Sequence, residues 1–473
     1  INIITRGAAS SAGAFADIDA GTVQQSVGLR IGGQAGPDLA YRVYGRWLSQ
    51  GAATRPGDGS AADGWHRLGG GFRVDWTPAP ADTVTVEGDA FDGRDDQPGS
   101  AREDTAGRDL VVRWNRDPNE DEHFQAQAFY DRMSRASRPN NGRFHVDTFD
   151  ADVQQSMALG SRNAIVVGGG GRLVHYLING TPQLYFTPAS RDLFLGNLFA
   201  QDTIALTDAL SVTAGIKAEH DPYVGVSLLP DLRIAVKPAQ SVLLWAAVSH
   251  AVRSPTPFDE DVQERAPGVT LAGNRDFRTE KLTAYEAGVR AQPTAGLTFS
   301  ATAFFHHYDD LRTIEIAAGP GLNLYWANEL AGHSYGIEAW ASASPLRWWT
   351  LSAGTTLLHE ELHFKPGASA PGLGTSQNGL DPSHQFILRS SMNLGRSVTL
   401  DIDARAVAAL GSGTVATGGV PAYTELGGRL AYTLSSHLQF VLSGANLLHA
   451  RHVEYPGGDA ISRKVLVGLQ WRR

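Results

Sequence analysis

Cysteine is absent from this 473-residue sequence. Its absence rules out a disulfide scaffold, thiolate metal sites and cysteine nucleophiles, and it suits a chain that crosses an oxidising compartment unpaired. Long apolar runs are missing too: 53 Gly and 23 Pro are spread along the chain. No stretch approaches the roughly 18 apolar residues of a spanning helix, so a helical membrane protein is excluded. Positive charge is in deficit, with 40 Lys and Arg against 49 Asp and Glu and a formal net charge of −9. That balance argues against nucleic acid as a partner. Position 1 is Ile rather than Met, and no signal-peptide pattern follows it, so the sequence reads as a mature or trimmed segment.

What is present is a rhythm. Short turn signals recur at Gly36-Pro37-Asp38, Pro78-Ala79-Pro80, Asp117-Pro118-Asn119-Glu120, Ser161-Arg162-Asn163, Thr207-Asp208, Pro238-Ala239-Gln240, Pro293-Thr294-Ala295-Gly296, Ser344-Pro345-Leu346-Arg347, Gly395-Arg396-Ser397 and Ser435-Ser436-His437. Such residues set turns locally. Ten tight turns imply eleven hairpins and 22 strands. Longer polar connections fall at the opposite strand ends, most clearly at 51–64, 93–106, 133–146, 178–190, 251–280, 361–383, 410–421 and 448–460. Short turns on one rim and long loops on the other are the asymmetry of an outer-membrane barrel.

Side chains within the strands alternate as a wall between lipid and a wet lumen requires. Val465, Val467, Leu469 and Trp471 share one face while Lys464, Gln470 and Arg472 share the other. Trp76, Trp114, Trp348, Trp349 and Trp471 all lie beside short turns, where an interfacial aromatic belt belongs. A soluble β-sandwich alternates as well, but open sheets beyond about 10 strands curl or split. The reading is therefore all-β: a transmembrane antiparallel β-barrel of 22 strands with short periplasmic turns and long extracellular loops.

Several motifs invite chemistry and decline it. His359-Glu360-Glu361-Leu362-His363 matches His-Glu-x-x-His, which needs a helix to aim two imidazoles at zinc; here it ends an alternating strand and enters a polar loop. Gly168 to Gly171 lacks the helix and Lys of a phosphate loop, and is expected to let something large pack inside the wall, such as a plug. His306, His307, Asp309 and Asp310 alternate between faces and are expected at a solvated strand end. The acid-rich set Asp92, Asp95, Asp96, Glu103 and Asp104 is expected to be a solvated loop. No catalytic set stands out, so neither an enzyme, a metal site nor a cofactor is predicted.

Four segments in order resemble TonB-dependent outer-membrane receptors. They are Ala251-Val252-Arg253-Ser254-Pro255-Thr256 with Phe258-Asp259-Glu260, Asn274 to Lys281 with Tyr285-Glu286-Ala287-Gly288, Ser334-Tyr335-Gly336-Ile337-Glu338, and Gly444-Ala445-Asn446-Leu447-Leu448 with Tyr455. Ile1-Asn2-Ile3-Ile4-Thr5-Arg6 resembles the segment that closes the plug domain of these receptors. On that resemblance, residues 1–10 are a plug remnant or linker and 11–473 the barrel. The family commonly ends on an aromatic residue, whereas Arg472 and Arg473 follow Trp471 here.

The resemblance implies a receptor in the outer membrane of a Gram-negative bacterium. It would actively take up a scarce ligand, such as a siderophore-metal chelate, a cobalamin-like molecule or another nutrient, with TonB acting through a plug. The expected ligand contacts are Tyr185, Phe186, Phe258, Tyr325 and Trp326, with Arg253, Arg275 and Arg278 for anionic chelates. The expected partners are outer-membrane lipid, TonB and the small-molecule ligand, around a monomer whose closed sheet has no free edge. The alternatives are a plugless diffusion pore selecting by size and charge, and a docking surface for adhesion or phage.

Overall fold

The computed structural model describes residues 5–55, 59–98, 101–140, 142–373, 375, 380–411 and 419–473. Each of the ten short turns read from the sequence joins two antiparallel strands, as at 35–38 between Gln24–Gln34 and Leu39–Gln50, or 347–348 between Leu322–Leu346 and Trp349–Phe364. The strands form one antiparallel wall, and Gly13–Gly21 pairs with both Gln24–Gln34 and Lys464–Arg472, closing it as a 22-stranded barrel. The full sheet has 25 strands because Leu184–Phe186, Val262–Ala266 and Val269–Ala272, all from the loops, extend it.

The wall has two unlike faces. Leu110, Tyr130, Phe149, Leu173 and Phe194 are direct cross-strand partners over five strands and all point outward. Leu198, on the same outer face, is 72 % exposed, a placement that lipid, not water, accounts for. The intervening positions carry charge into the lumen, as with the opposed Asp109 and Asp131. Trp76, Trp114, Trp348, Trp349 and Trp471 sit on the short-turn rim as the sequence indicated, with Trp348 and Trp349 stacked at 6.3 Å.

The long-loop rim differs from expectation in two ways. The segments 93–106 and 133–146 are mostly ladder: Asp82–Gln97 pairs with Ala101–Asn119 up to Gln97 opposite Ala101, and Glu122–Arg138 pairs with Arg143–Leu159 up to Ala136 opposite Arg143. The acid-rich set is thus in strand, not loop. Above the bilayer neither face of a ribbon needs to be apolar, so its sequence reads as loop. Three connections on this rim are also short, at 22–23, 222–224 and 318–321.

Two motif readings are settled here. His359 and His363 lie in the strand Trp349–Phe364, where four residues of extended chain separate them by about 13 Å, too far for one zinc. The Gly168–Gly171 run does make room, but for its neighbours: a Cβ on Gly168 would come within 2.5 Å of the Phe199 ring, and one on Gly169 within 2.6 Å of Leu198. The room that the run makes is taken on its two faces by the Phe199 ring and the Leu198 side chain of the neighbouring strand.

At the opposite rim, Ile1–Ile4 lie outside the described residues. From Thr5 the chain runs along the lumen wall before entering the first strand. Arg73 donates to the Thr5 hydroxyl at 2.8 Å, Arg42 to the Arg6 carbonyl at 2.7 Å, and the Ala8 N–H to Asp75 at 2.6 Å.

Candidate functional site

On the long-loop rim, three loops fold together into a cap. Leu184–Phe186 pairs with Val262–Ala266, which pairs with Val269–Ala272, which in turn runs parallel to Leu322–Tyr325. Beneath this small sheet lies an apolar cluster of Val262, Phe277 and Trp326, with Phe186, Leu271 and Ile314 packed against it. It is built from loops of high sequence separation, so it can form only once the wall has brought them together.

Charge fastens the cap to the wall. Pro257–Glu260 forms one helical turn, begun by Thr256, whose side chain and backbone exchange hydrogen bonds with Asp259, a capping box with Pro at the first position. Asp259 is fully buried and receives Arg253 at 3.0 Å and Arg312 at 3.2 Å. Burial alone would push the Asp259 carboxyl up, but the hydrogen bonds from Arg253 and Thr256 hold it below its ordinary range. Arg253 also grips Glu280 bidentately at 2.7 and 3.0 Å. Asp261, equally buried, takes Arg191 at 2.8 Å and the Tyr176 hydroxyl at 3.1 Å.

A second knot lies on Leu297–Ala317. Asp310 has φ 56° at a break in the register between Tyr308 and Leu311, and its buried carboxylate receives Lys365 at 2.6 Å, Lys281 at 2.9 Å and Arg278 at 3.0 Å. The expectation of a solvated strand end therefore fails for Asp310. The bulge turns it inward, and its cations come from segments up to 55 residues away. Asn328 ties the same knot through backbone groups of Arg278 and Asp310.

Glu260 stands apart. It is buried without an ion pair among the described residues, and burial first, then the neighbouring Asp261 charge, pushes its carboxyl up to about 7.

The candidate contacts read from the sequence divide into three groups. Phe186, Phe258 and Trp326 come together, with ring centroids 6.5 Å apart for Phe186–Phe258 and 5.8 Å for Phe258–Trp326. Arg253 is occupied by two carboxylates and holds the loop. Arg275 and Arg278 are exposed, whereas Tyr185 and Tyr325 lie in the small sheet, Tyr185 under the Arg265 guanidinium at 5.2 Å. The Trp326 indole N–H is buried with no partner, a donor left open. Sequence reasoning missed Asp261, Glu280, Asp310, Arg312, Asn328 and Lys365 as the fastenings. No local signal marks them, because each acquires its role from a distant partner.

Comparison with known proteins places this architecture. Solved structures resemble the chain closely in fold at low identity. The ferric enterobactin receptor PfeA of Pseudomonas aeruginosa, solved as a point mutant, gives a TM-score of 0.81 at 14% identity, covering 100% of this chain and 82% of that one. The siderophore receptor PirA of Acinetobacter baumannii gives 0.79 at 14%, covering 98% and 80%. The ferric-catecholate import receptor Fiu of Escherichia coli K12 gives 0.78 at 12%, covering 98% and 82%. No curated protein matches in sequence. The family model for the β-barrel of TonB-dependent receptor-like proteins matches residues 42–447. With the closed 22-stranded wall, its lipid-facing belt and its folded outer loops, the chain belongs to the TonB-dependent receptor β-barrel family of the Gram-negative outer membrane.

Proposed function

We propose that this barrel captures an anionic metal chelate, a ferric siderophore, at its outer face for uptake driven through TonB. The observation that carries the reading is the cap itself. Buried ion pairs at Asp259, Asp261 and Asp310 fasten the loops that carry an aromatic cluster and two exposed guanidinium groups, Arg275 and Arg278, on the long-loop rim. Aromatic faces and arginines on a pre-formed frame suit a large, flat, negatively charged ligand. Similar folds belong to ferric enterobactin and ferric-catecholate receptors, and one was solved with enterobactin bound. Family and fold are those of receptors rather than enzymes.

In this reading residues 1–10 are the linker that carries a plug into the lumen, 11–473 are the barrel, and the barrel works as a monomer in outer-membrane lipid. The hydrogen bonds of Thr5, Arg6 and Ala8 to the inner wall suit a segment that anchors such a domain. Of the eight candidate contacts, Phe258, Arg275 and Arg278 are assigned to the ligand and Tyr185, Phe186, Tyr325 and Trp326 to the surface beneath it. Arg253 supports them.

The test is uptake of radiolabelled ferric catecholate, ferric hydroxamate and cobalamin by cells with the gene deleted and restored. Loss of one iron chelate alone, restored by the gene and abolished by a proton uncoupler, is the expected result. Uptake that persists with the uncoupler would favour a passive pore and overturn the reading.

A further inference from the structure

The outer wall carries an arrangement that neither the cap nor uptake explains. Arg108 and Arg132 are direct cross-strand partners on the lipid-side face, one outward position above Leu110 and Tyr130. Like charges directly opposite one another on a sheet repel and destabilise the pair. Arg132 has a partial answer in Asp147 at 3.5 Å, but Arg108 has no ion pair among the described residues and is exposed. Further up the same face, Arg138 is paired with Asp104 at 3.0 Å, whereas Arg143 is exposed and also lacks an ion pair among the described residues.

These side chains line connected hollows. Ala106, Arg108, Tyr130, Arg132 and Ser134 form a recess of about 370 Å³. Arg132 and Ser134 also line a larger one of about 590 Å³, where Arg138, Arg143 and His145 outnumber the carboxylates of Asp92 and Asp104, the latter already paired with Arg138. Tyr130 also lines an apolar groove of about 470 Å³ among Leu110, Val112, Phe149, Leu173 and Phe194. An apolar groove thus opens upward into a basic recess at the level where the lipid-facing belt ends.

We propose that this face binds a membrane lipid with a phosphate headgroup. An acyl chain lies along the apolar groove, and the phosphate bridges Arg108 and Arg132. A phosphate offers several acceptor oxygens and neutralises both guanidinium groups, which turns the repulsive pair into the two walls of one site. The groove below commits the site to a lipid rather than a free anion, because only an amphiphile fills both parts. The proposal stands independently of the uptake reading.

The test uses the full chain purified in detergent and native mass spectrometry with three probes: phosphatidic acid, the diacylglycerol with the same acyl chains, and inorganic phosphate. Phosphatidic acid is expected to be retained well above diacylglycerol and not to be displaced by inorganic phosphate. R108Q and R132Q are each expected to weaken retention by roughly 10-fold. R116Q, on the same wall near the other rim, is expected to leave retention unchanged. Heat-modifiable migration on gels confirms that each variant is folded, and the comparison of phosphatidic acid with diacylglycerol on the unaltered chain stands without any variant. Equal retention of both lipids, displacement by inorganic phosphate, or an R116Q effect as large as that of R108Q would each overturn the proposal.

Discussion

The Asp310 carboxylate and the Lys365 ammonium meet at 2.6 Å across 55 residues of chain, joining a strand bulge to the start of a long loop. Lys281 and Arg278 share the same carboxylate. Asp310→Ala therefore takes the carboxylate from Lys281 and Arg278 and leaves Lys365 with Asp309 alone, at 2.6 Å. Because the cations are partly exposed, the expected cost is about 1–3 kcal/mol, confined to the cap. Limited proteolysis should cut within 254–279 or 365–383 while the barrel keeps its heat-modifiable migration. Unchanged proteolysis would mean that the knot is dispensable.

Asp259→Asn removes the charge that both Arg253 and Arg312 face and weakens the capping box at Thr256. Loss of a cap alone costs about 1 kcal/mol, and unpairing buried charge adds to it. Chelate affinity is expected to fall roughly 10-fold or more, measured by quenching of intrinsic tryptophan fluorescence. Asp192→Asn, at an exposed position, should leave affinity intact.

Arg275→Ala and Arg278→Ala separate recognition from support. Arg275 is exposed and makes no ion pair among the described residues, so its loss should weaken an anionic chelate roughly 10-fold without altering proteolysis. Arg278 also serves Asp310, and its variant should show both effects. A neutral ligand binding equally to all three proteins would show that the arginines act on ligand charge. An anionic chelate bound unchanged by Arg275→Ala would remove that residue from the site.

Glu260 predicts a pH dependence of the cap. Its carboxyl is raised in the folded chain to about 7 from an ordinary value of 4.5. The folded state therefore holds the proton more tightly than the unfolded state does. This contribution to stability is fully present below about pH 4.5 and is lost as pH rises through about 7. Hydrogen exchange in 254–279 should accelerate over that window, and Glu260→Gln should flatten the profile. A profile unchanged by the substitution would reject the assignment.

Gly168→Val tests the wall. A Cβ there would lie 2.5 Å from the Phe199 ring and 2.6 Å from the Val153 carbonyl. Overpacking of this kind costs about 1–3 kcal/mol. The barrel should unfold at a lower temperature on heat-modifiability gels, and a compensating Phe199→Ala should recover part of the loss.

All ten short turns were legible because a turn is set by its own residues: Gly36 at φ 82° and Gly395 at φ 84° adopt a backbone that few other residues accept. The lipid-facing strands were legible because one face of each is apolar. The upper ribbons at 93–106 and 133–146 were not, because above the bilayer nothing demands alternation. The aromatic half of the cap could be singled out by residue type. Its fastenings could not, since Asp259 and Asp310 look like any surface acids until Arg312 and Lys365 arrive from distant strands.

The pairing of Gly13–Gly21 with Lys464–Arg472 has a consequence for biogenesis. Phe15 lies opposite Arg472, and Ala14 and Arg473 exchange backbone hydrogen bonds at 2.9 Å. The first strand therefore keeps an open edge until the last one has been delivered, so no partial product can seal itself from N-terminus to C-terminus. Closure is a single late event of very high contact order, and until it happens something outside the chain must shield that edge from other unfinished sheets.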